Sequence, residues 1–191
     1  MLSERQQQII KESIKLIDSK GIQGFTIKNL SKEIGISEPG IYRHFESKFA
    51  ILNEILDSFK QNLIENQKTF TKNDADPLTK LKLFFNKLFL KFNENPALIS
   101  VIFSEEIFQN EKLLSEKVNE IHAMNEQMVS SVFNDLQSSK QISEEIDIET
   151  FNLMLFGSVR LLVRKWRYSG HKFNIMEKGN ELFITLLKLA K

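Results

Sequence analysis

Cysteine is absent from the 191-residue chain, which excludes disulfides, thiolate metal sites and cysteine nucleophiles. Proline occurs three times and glycine seven times. With no alternating run of Val, Ile and Thr, these shortages argue for helices throughout. No stretch approaches the roughly 20 consecutive apolar residues that cross a bilayer. The N-terminal MLSERQQQII opens on polar and charged residues rather than a basic cap and apolar core, so it does not read as a signal peptide. The expected location is therefore the cytoplasm, with no membrane partner. Catalytic patterns are missing too. His44, His122 and His171 are scattered, and no H-E-x-x-H, G-x-S-x-G or phosphate-binding glycine loop occurs. No catalytic residue, metal site or cofactor is expected.

Charge carries little information. Residues 1–50 hold eight Lys/Arg against six Asp/Glu, too small a surplus to mark a nucleic-acid binder by itself. The aromatic distribution says more: three of sixteen phenylalanines fall in the first fifty residues, so a small N-terminal part precedes a larger, Phe-rich one.

Helix signals recur along the chain. Ser3 and Gln6 form a capping box, Ile10, Ile14 and Ile17 mark one face, and Gly21 is placed to end the helix in a left-handed turn. Thr26 caps a short helix carrying Ile27, Leu30 and Ile34, which Gly35 closes. Ser37 caps a third helix reaching about Phe45. At two turns it is too short to stand alone, and Ile41 and Phe45 must anchor it. Ser47 caps a longer helix striped by Phe49, Leu52, Leu56, Phe59 and Leu63. A polar loop, TKNDAD, follows; Asp76–Pro77 and Asn95–Pro96 each pair a cap with a first-turn proline. Between them Leu81, Phe84, Phe85, Leu88 and Phe92 line one face. Further helices are expected over about 111–136, 148–168 and 174–190, giving about nine in all.

The segment GFTIKNLSKEIGISEPGIYRHFESKFAIL, residues 24–52, resembles the DNA-binding domain of the TetR family of bacterial regulators. The features that match are Thr26, Leu30, Ile34–Gly35, Ile41–Tyr42, His44–Phe45 and Lys48. The resemblance implies an all-α protein with a three-helix DNA-binding domain over 1–47 containing a helix-turn-helix. A helical regulatory and dimerisation domain would follow over 48–191. It also implies a homodimer on a palindromic double-stranded operator.

The physics of the motif agrees with that reading. A short helix after a tight turn fits a major groove about 12 Å wide. Thr26 and Ser37 stand at helix N-termini, where free N–H groups favour phosphate, and Lys48 adds a point charge. Tyr42 and His44 are candidates for backbone contacts, which position without reading sequence. Lys28, Glu38, Pro39, Gly40 and Arg43 are the base-reading candidates: Arg43 toward guanine, Glu38 toward cytosine N4, Pro39 toward a thymine methyl. Gly40 brings no side chain. Thr26, Ser37 and Glu38 also suit helix N-termini for purely structural reasons.

Beyond residue 50 the apolar residues suggest two roles. Phe151, Leu155, Leu162 and Trp166, with Leu182, Phe183 and Leu186, are candidates for a four-helix interface with a twofold mate; a monomer core is the alternative. Phe85, Phe89, Phe103, His122, Asn125 and Met128 are candidates for a pocket holding a small hydrophobic ligand, Asn125 being the polar exception in an apolar line. Arg160, Arg164 and Arg167 make a cationic stripe that either faces solvent or pairs with Glu105–Glu106 or an anionic ligand. The sequence thus points to a repressor released from an inverted repeat by a small, mainly apolar ligand. Two other readings are a regulator answering to a protein partner and a helical interaction module with no DNA role.

Overall fold

The computed structural model describes residues 2–71, 75–103 and 111–191, with backbone alone at 69–71. Nine helices and no strands are found among the described residues: α1 (Glu4–Gly24), α2 (Ile27–Ile34), α3 (Glu38–Tyr42), α4 (Lys48–Thr71), α5 (Pro77–Glu94), α6 (Ala97–Ile102), α7 (Lys112–Ser138), α8 (Ile148–Tyr168) and α9 (Ile175–Leu189). None of them is long and apolar enough to cross a membrane. The chain divides into two compact units. One comprises Met1–Asn62 with Ala97–Ile121, the other Leu63–Pro96 with His122–Lys191. The head expected over residues 1–47 lies wholly within the first.

The caps behave as local chemistry dictates. Gln6 N–H donates to Ser3 Oγ (3.3 Å) while Ser3 N–H donates to Gln6 Oε1 (3.0 Å), satisfying two otherwise orphaned amides. Thr26 Oγ1 accepts from Asn29 N–H, Ser37 Oγ from Gly40 N–H and Ser47 Oγ from Ala50 N–H. Asp76 caps α5 with Pro77 behind it, and Asp147 and Asn174 cap α8 and α9. Gly35 takes the left-handed conformation that closes α2 (φ 76°, ψ 33°).

Three boundaries differ from expectation. Gly21 does break α1 with a positive φ of 67°, but its ψ of 179° is extended, and a last helical turn runs on to Gly24. The third helix ends at Tyr42 rather than Phe45; residues 43–45 form a turn on the Ile41 carbonyl, which lets Ser47 cap α4. Asn95 does not open a helix. It ends α5 in a non-helical conformation (φ -137°, ψ 73°) before Pro96, and α6 starts at Ala97. Residues 72–74 of the TKNDAD loop, and both Glu105 and Glu106, lie outside the described residues.

In the first unit Ile9, Leu16, Phe25, Leu30, Ile41 and Phe45 pack with Ile51, Leu52 and Leu56, joined by Val101 and Leu114. Burying Ile41 completely contributes roughly 1.5–3 kcal/mol, which is how a five-residue helix is held in place. Polar ties accompany the packing. Lys117 donates to Asn53 Oδ1 and Asp57 Oδ1, both at 2.6 Å, and Ser100 donates to Asp18.

The second unit is built on rings. Phe85 lies 5.4 Å from Phe183 and 6.5 Å from Phe156 between ring centroids, and Phe133 meets Phe151 edge-on at 4.9 Å. α9 approaches α5 closely because Gly179 faces Phe89. At the end of α8 the buried Trp166 donates its indole N–H to the Phe173 carbonyl (2.8 Å), with the His171 ring 4.4 Å away. Gln137 Nε2 donates to the carbonyls of Ser143 and Ile146, and Ser143 N–H donates to Ala190 O, which ties the 139–147 loop to the end of α9.

Candidate nucleic-acid interface

α2, the Gly35 turn and α3 form a helix-turn-helix whose inner side is apolar. Leu30 and Ile41 are fully buried, and Phe45 nearly so. The side chains that remain face outward. Lys28, Glu38, Pro39 and Arg43 are exposed, and Tyr42 is half exposed at 50%. Glu38 and Tyr42, at i and i+4, are neighbours along α3, and Pro39 projects from the side nearly opposite the buried Ile41.

Thr26 and Ser37, both exposed, are committed as helix caps. The cap uses an oxygen lone pair, and a hydroxyl still has its own hydrogen to give to a phosphate. Gly40 and His44 are partly buried. Gly40 has no positive φ, and the nearest atoms to a Cβ built there would be Ser37 Oγ at 3.4 Å and Ile36 at 3.5 Å, ordinary contact distances. The His44 carbonyl accepts from Gln6 Nε2 at 3.4 Å, linking the start of α1 to the turn after α3.

Lys48 is less free than the sequence implied. Its ammonium donates to the Ile22 carbonyl (3.3 Å) and lies 5.2 Å from the centroid of the Phe25 ring. Partial withdrawal from water holds its pKa below the usual lysine value.

In the second unit, Phe85, Phe89 and Met128 are buried, and Phe85 and Phe89 lie 6.4 Å apart. His122 and Asn125 are half-buried; Phe103 belongs to the first unit. The second unit also carries an open cleft of about 910 Å³ floored by Leu78, Leu136, Ile142 and Leu187, which none of the expected pocket residues lines.

The residues expected at a twofold interface differ in how far their own chain covers them. Phe151, Leu155, Trp166, Phe183 and Leu186 are buried by their own chain, because periodicity identifies apolar rows without saying what covers them. Leu162 and Leu182 are half-buried. The apolar surface left open on α8 comes instead from Leu153, Met154, Leu161 and Tyr168. Of the arginine stripe, Arg160 and Arg164 are exposed, and Arg164 lies 5.4 Å from the Tyr168 ring centroid.

Two residues passed over in the sequence stand out. The Oδ1 atoms of Asn86 on α5 and Asn152 on α8 are buried without a hydrogen bond. No sequence pattern marks them, since an amide's lack of a partner arises only from tertiary packing.

Comparison with known proteins agrees with this geometry. Residues 9–55 match the model of bacterial regulatory proteins of the tetR family, and residues 56–189 match that of the YsiA-like protein C-terminal region. The chain is 24% identical over 182 residues to the fatty acid metabolism regulator protein of Bacillus subtilis (strain 168), covering 94% of this chain and 92% of that protein. It is 25% identical over 185 residues to the nucleoid occlusion factor SlmA of Aliivibrio fischeri (strain MJ11), covering 95% and 93%. The solved structure of the transcriptional regulator FadR from Bacillus subtilis in complex with stearoyl-CoA superposes with a TM-score of 0.79 at 22% identity, covering 95% of this chain and 97% of that one.

Proposed function

The chain belongs to the TetR family of bacterial regulators and is a DNA-binding transcription regulator, not an enzyme; from that premise we propose that it is a repressor that grips an inverted-repeat operator as a homodimer and releases it on taking up a small, mainly apolar ligand. Acting on DNA, it belongs in the cytoplasm. The observation that carries the reading is α3, pinned from behind by Ile41 and Phe45 with Glu38, Pro39, Tyr42 and Arg43 turned outward. Arg43, Lys28, Glu38 and Pro39 read bases, with Gly40 beside them. Thr26, Ser37, Tyr42, His44 and Lys48 hold the phosphate backbone.

Dimerisation is supported by the outer side of α8. Met154, Gly157, Leu161 and Tyr168 follow the 3–4–7 spacing of a packing seam, and the three apolar side chains among them are exposed. A single helix-turn-helix reads one half-site, so a second copy is needed for an inverted repeat. The ligand reading draws on the FadR structure, which holds stearoyl-CoA, and on the phenylalanines of α5; a long acyl chain is the apolar body proposed here.

The test begins with duplexes selected from a random pool. Tyr42→Ala should weaken binding to all of them, and Arg43→Ala should cost about 1–3 kcal/mol on the preferred site while relaxing base preference. If both variants bind the selected site like wild type, α3 is not the reading element.

A further inference from the structure

The interior of the second unit contains two amide oxygens with no donor. Asn152 is 5% exposed and donates its Nδ2 to Ser130 Oγ at 2.5 Å. That bond fixes the amide and leaves Oδ1 sealed from water without a partner. The Oδ1 of Asn86 on α5 is in the same condition. Buried polar atoms in folded proteins are overwhelmingly paired, so two orphaned acceptors in one small interior call for a cause.

Their placement supplies one. Asn86 follows Phe85 directly, and Asn152 stands one helical turn before Phe156; those two rings lie 6.5 Å apart where α5 meets α8. Both residues therefore stand within about a turn, along their own helices, of one contact between phenylalanine rings. A carboxylate, phosphate or ester oxygen brought to either of them meets a like partial charge and gains no hydrogen bond. An N–H or O–H gains one and relieves an unpaired acceptor.

We infer that Asn86 and Asn152 are acceptors for a bound ligand, and that the molecule taken up by the second unit carries an amide or hydroxyl donor within an apolar body. This rests on the small-ligand reading above and narrows it. Buried water is the competing occupant, since it also supplies donors.

The full-length chain should be titrated with three probes of equal chain length: decanamide, decan-1-ol and methyl decanoate. Calorimetry and thermal shift give the affinities; operator binding is measured with each probe present. The amide and the alcohol should bind about fivefold to a hundredfold more tightly than the ester, the range set by satisfying a buried acceptor. Asn152→Leu should erase most of that gap, and Asn86→Leu carries the same expectation should Asn152→Leu fail to fold. Equal affinity of all three probes for wild type overturns the donor requirement, as does a preference that survives both substitutions. If the three bind equally and still release the operator, only the donor requirement falls. If none binds, water is the occupant, and the small-ligand reading falls with it.

Discussion

The ring of Phe89 occupies the place where a side chain on Gly179 would begin: a Cβ built on Gly179 falls 2.3 Å from Phe89 Cε2 and 2.5 Å from Cδ2. Gly179 is buried and helical without a positive φ, so its identity is set by packing and not by backbone conformation. The nearest atoms belong to a flat ring in a filled interior, which has little room to yield.

Gly179→Ala should therefore destabilise the fold despite alanine's higher helix propensity. Overpacking of this kind costs about 1–3 kcal/mol, against roughly 1 kcal/mol of propensity gained. Urea unfolding decides the sign. A variant as stable as wild type would mean that the two helices part more easily than their packing indicates.

Placing a charge on the outer side of α8 should separate assembly from folding. Leu161 is 53% exposed in the protomer, so Leu161→Glu should leave the monomer folded while dissociating the proposed dimer in sedimentation. Phe183 is buried against Phe85, so Phe183→Glu should unfold the chain, leaving a charge in an apolar interior. A Leu161→Glu protein that remains dimeric at micromolar concentration would move the interface elsewhere.

Lys48 offers a test in alkaline solution. Its folded pKa is depressed by desolvation, so the folded protein gives up this proton at a lower pH than the unfolded chain does. The unfolded state then holds more protons, and this residue's contribution to stability rises with pH between the two values. Lys48→Met should remove that rise. At neutral pH it should also forfeit about 1 kcal/mol through loss of the Ile22 hydrogen bond and the Phe25 contact. Urea midpoints across the alkaline range measure both effects.

Acid exposes the opposite sign at two helix starts. The carboxyl of Asp76 is held below its usual 3.8 by the Thr79 hydroxyl, then by the Thr79 N–H; that of Asp147 is held down by hydrogen bonds from the side chain and backbone of Thr150. Their contribution is complete above the unfolded carboxyl pKa of about 4 and is lost as pH falls through the lower folded values. Replacing both by asparagine keeps a capping oxygen but removes the titration. The double variant should show a shallower fall in melting temperature on acidification than wild type.

The residues that announced themselves in the sequence are those whose work is local. Ser3, Thr26, Ser37, Ser47 and Asp76 cap helices a few positions away, and each makes the bond its spacing implies. Asn95 misled because Asn–Pro suits both the end of one helix and the start of the next. The apolar rows of α8 and α9 were legible, but not what covers them. Phe151, Leu155 and Phe183 are apolar at helical spacing, but whether their cover comes from the same chain depends on how α5 and α7 lie against them. Asn125 drew attention by sitting in an apolar line, whereas the unpaired amide oxygens belong to Asn86 and Asn152.

The buried indole of Trp166 has an optical consequence. It is the chain's one tryptophan, and its N–H is bonded to Phe173 at the turn between α8 and α9. Emission excited at the red edge of the protein band thus originates wholly in the second unit, and the first, whose single tyrosine is Tyr42, is dark at that wavelength. Circular dichroism, by contrast, registers the helices of both. Melts followed by the two signals should coincide if the chain unfolds in one step. A lag between them would time the loss of the first unit separately from that of the second, with no label added.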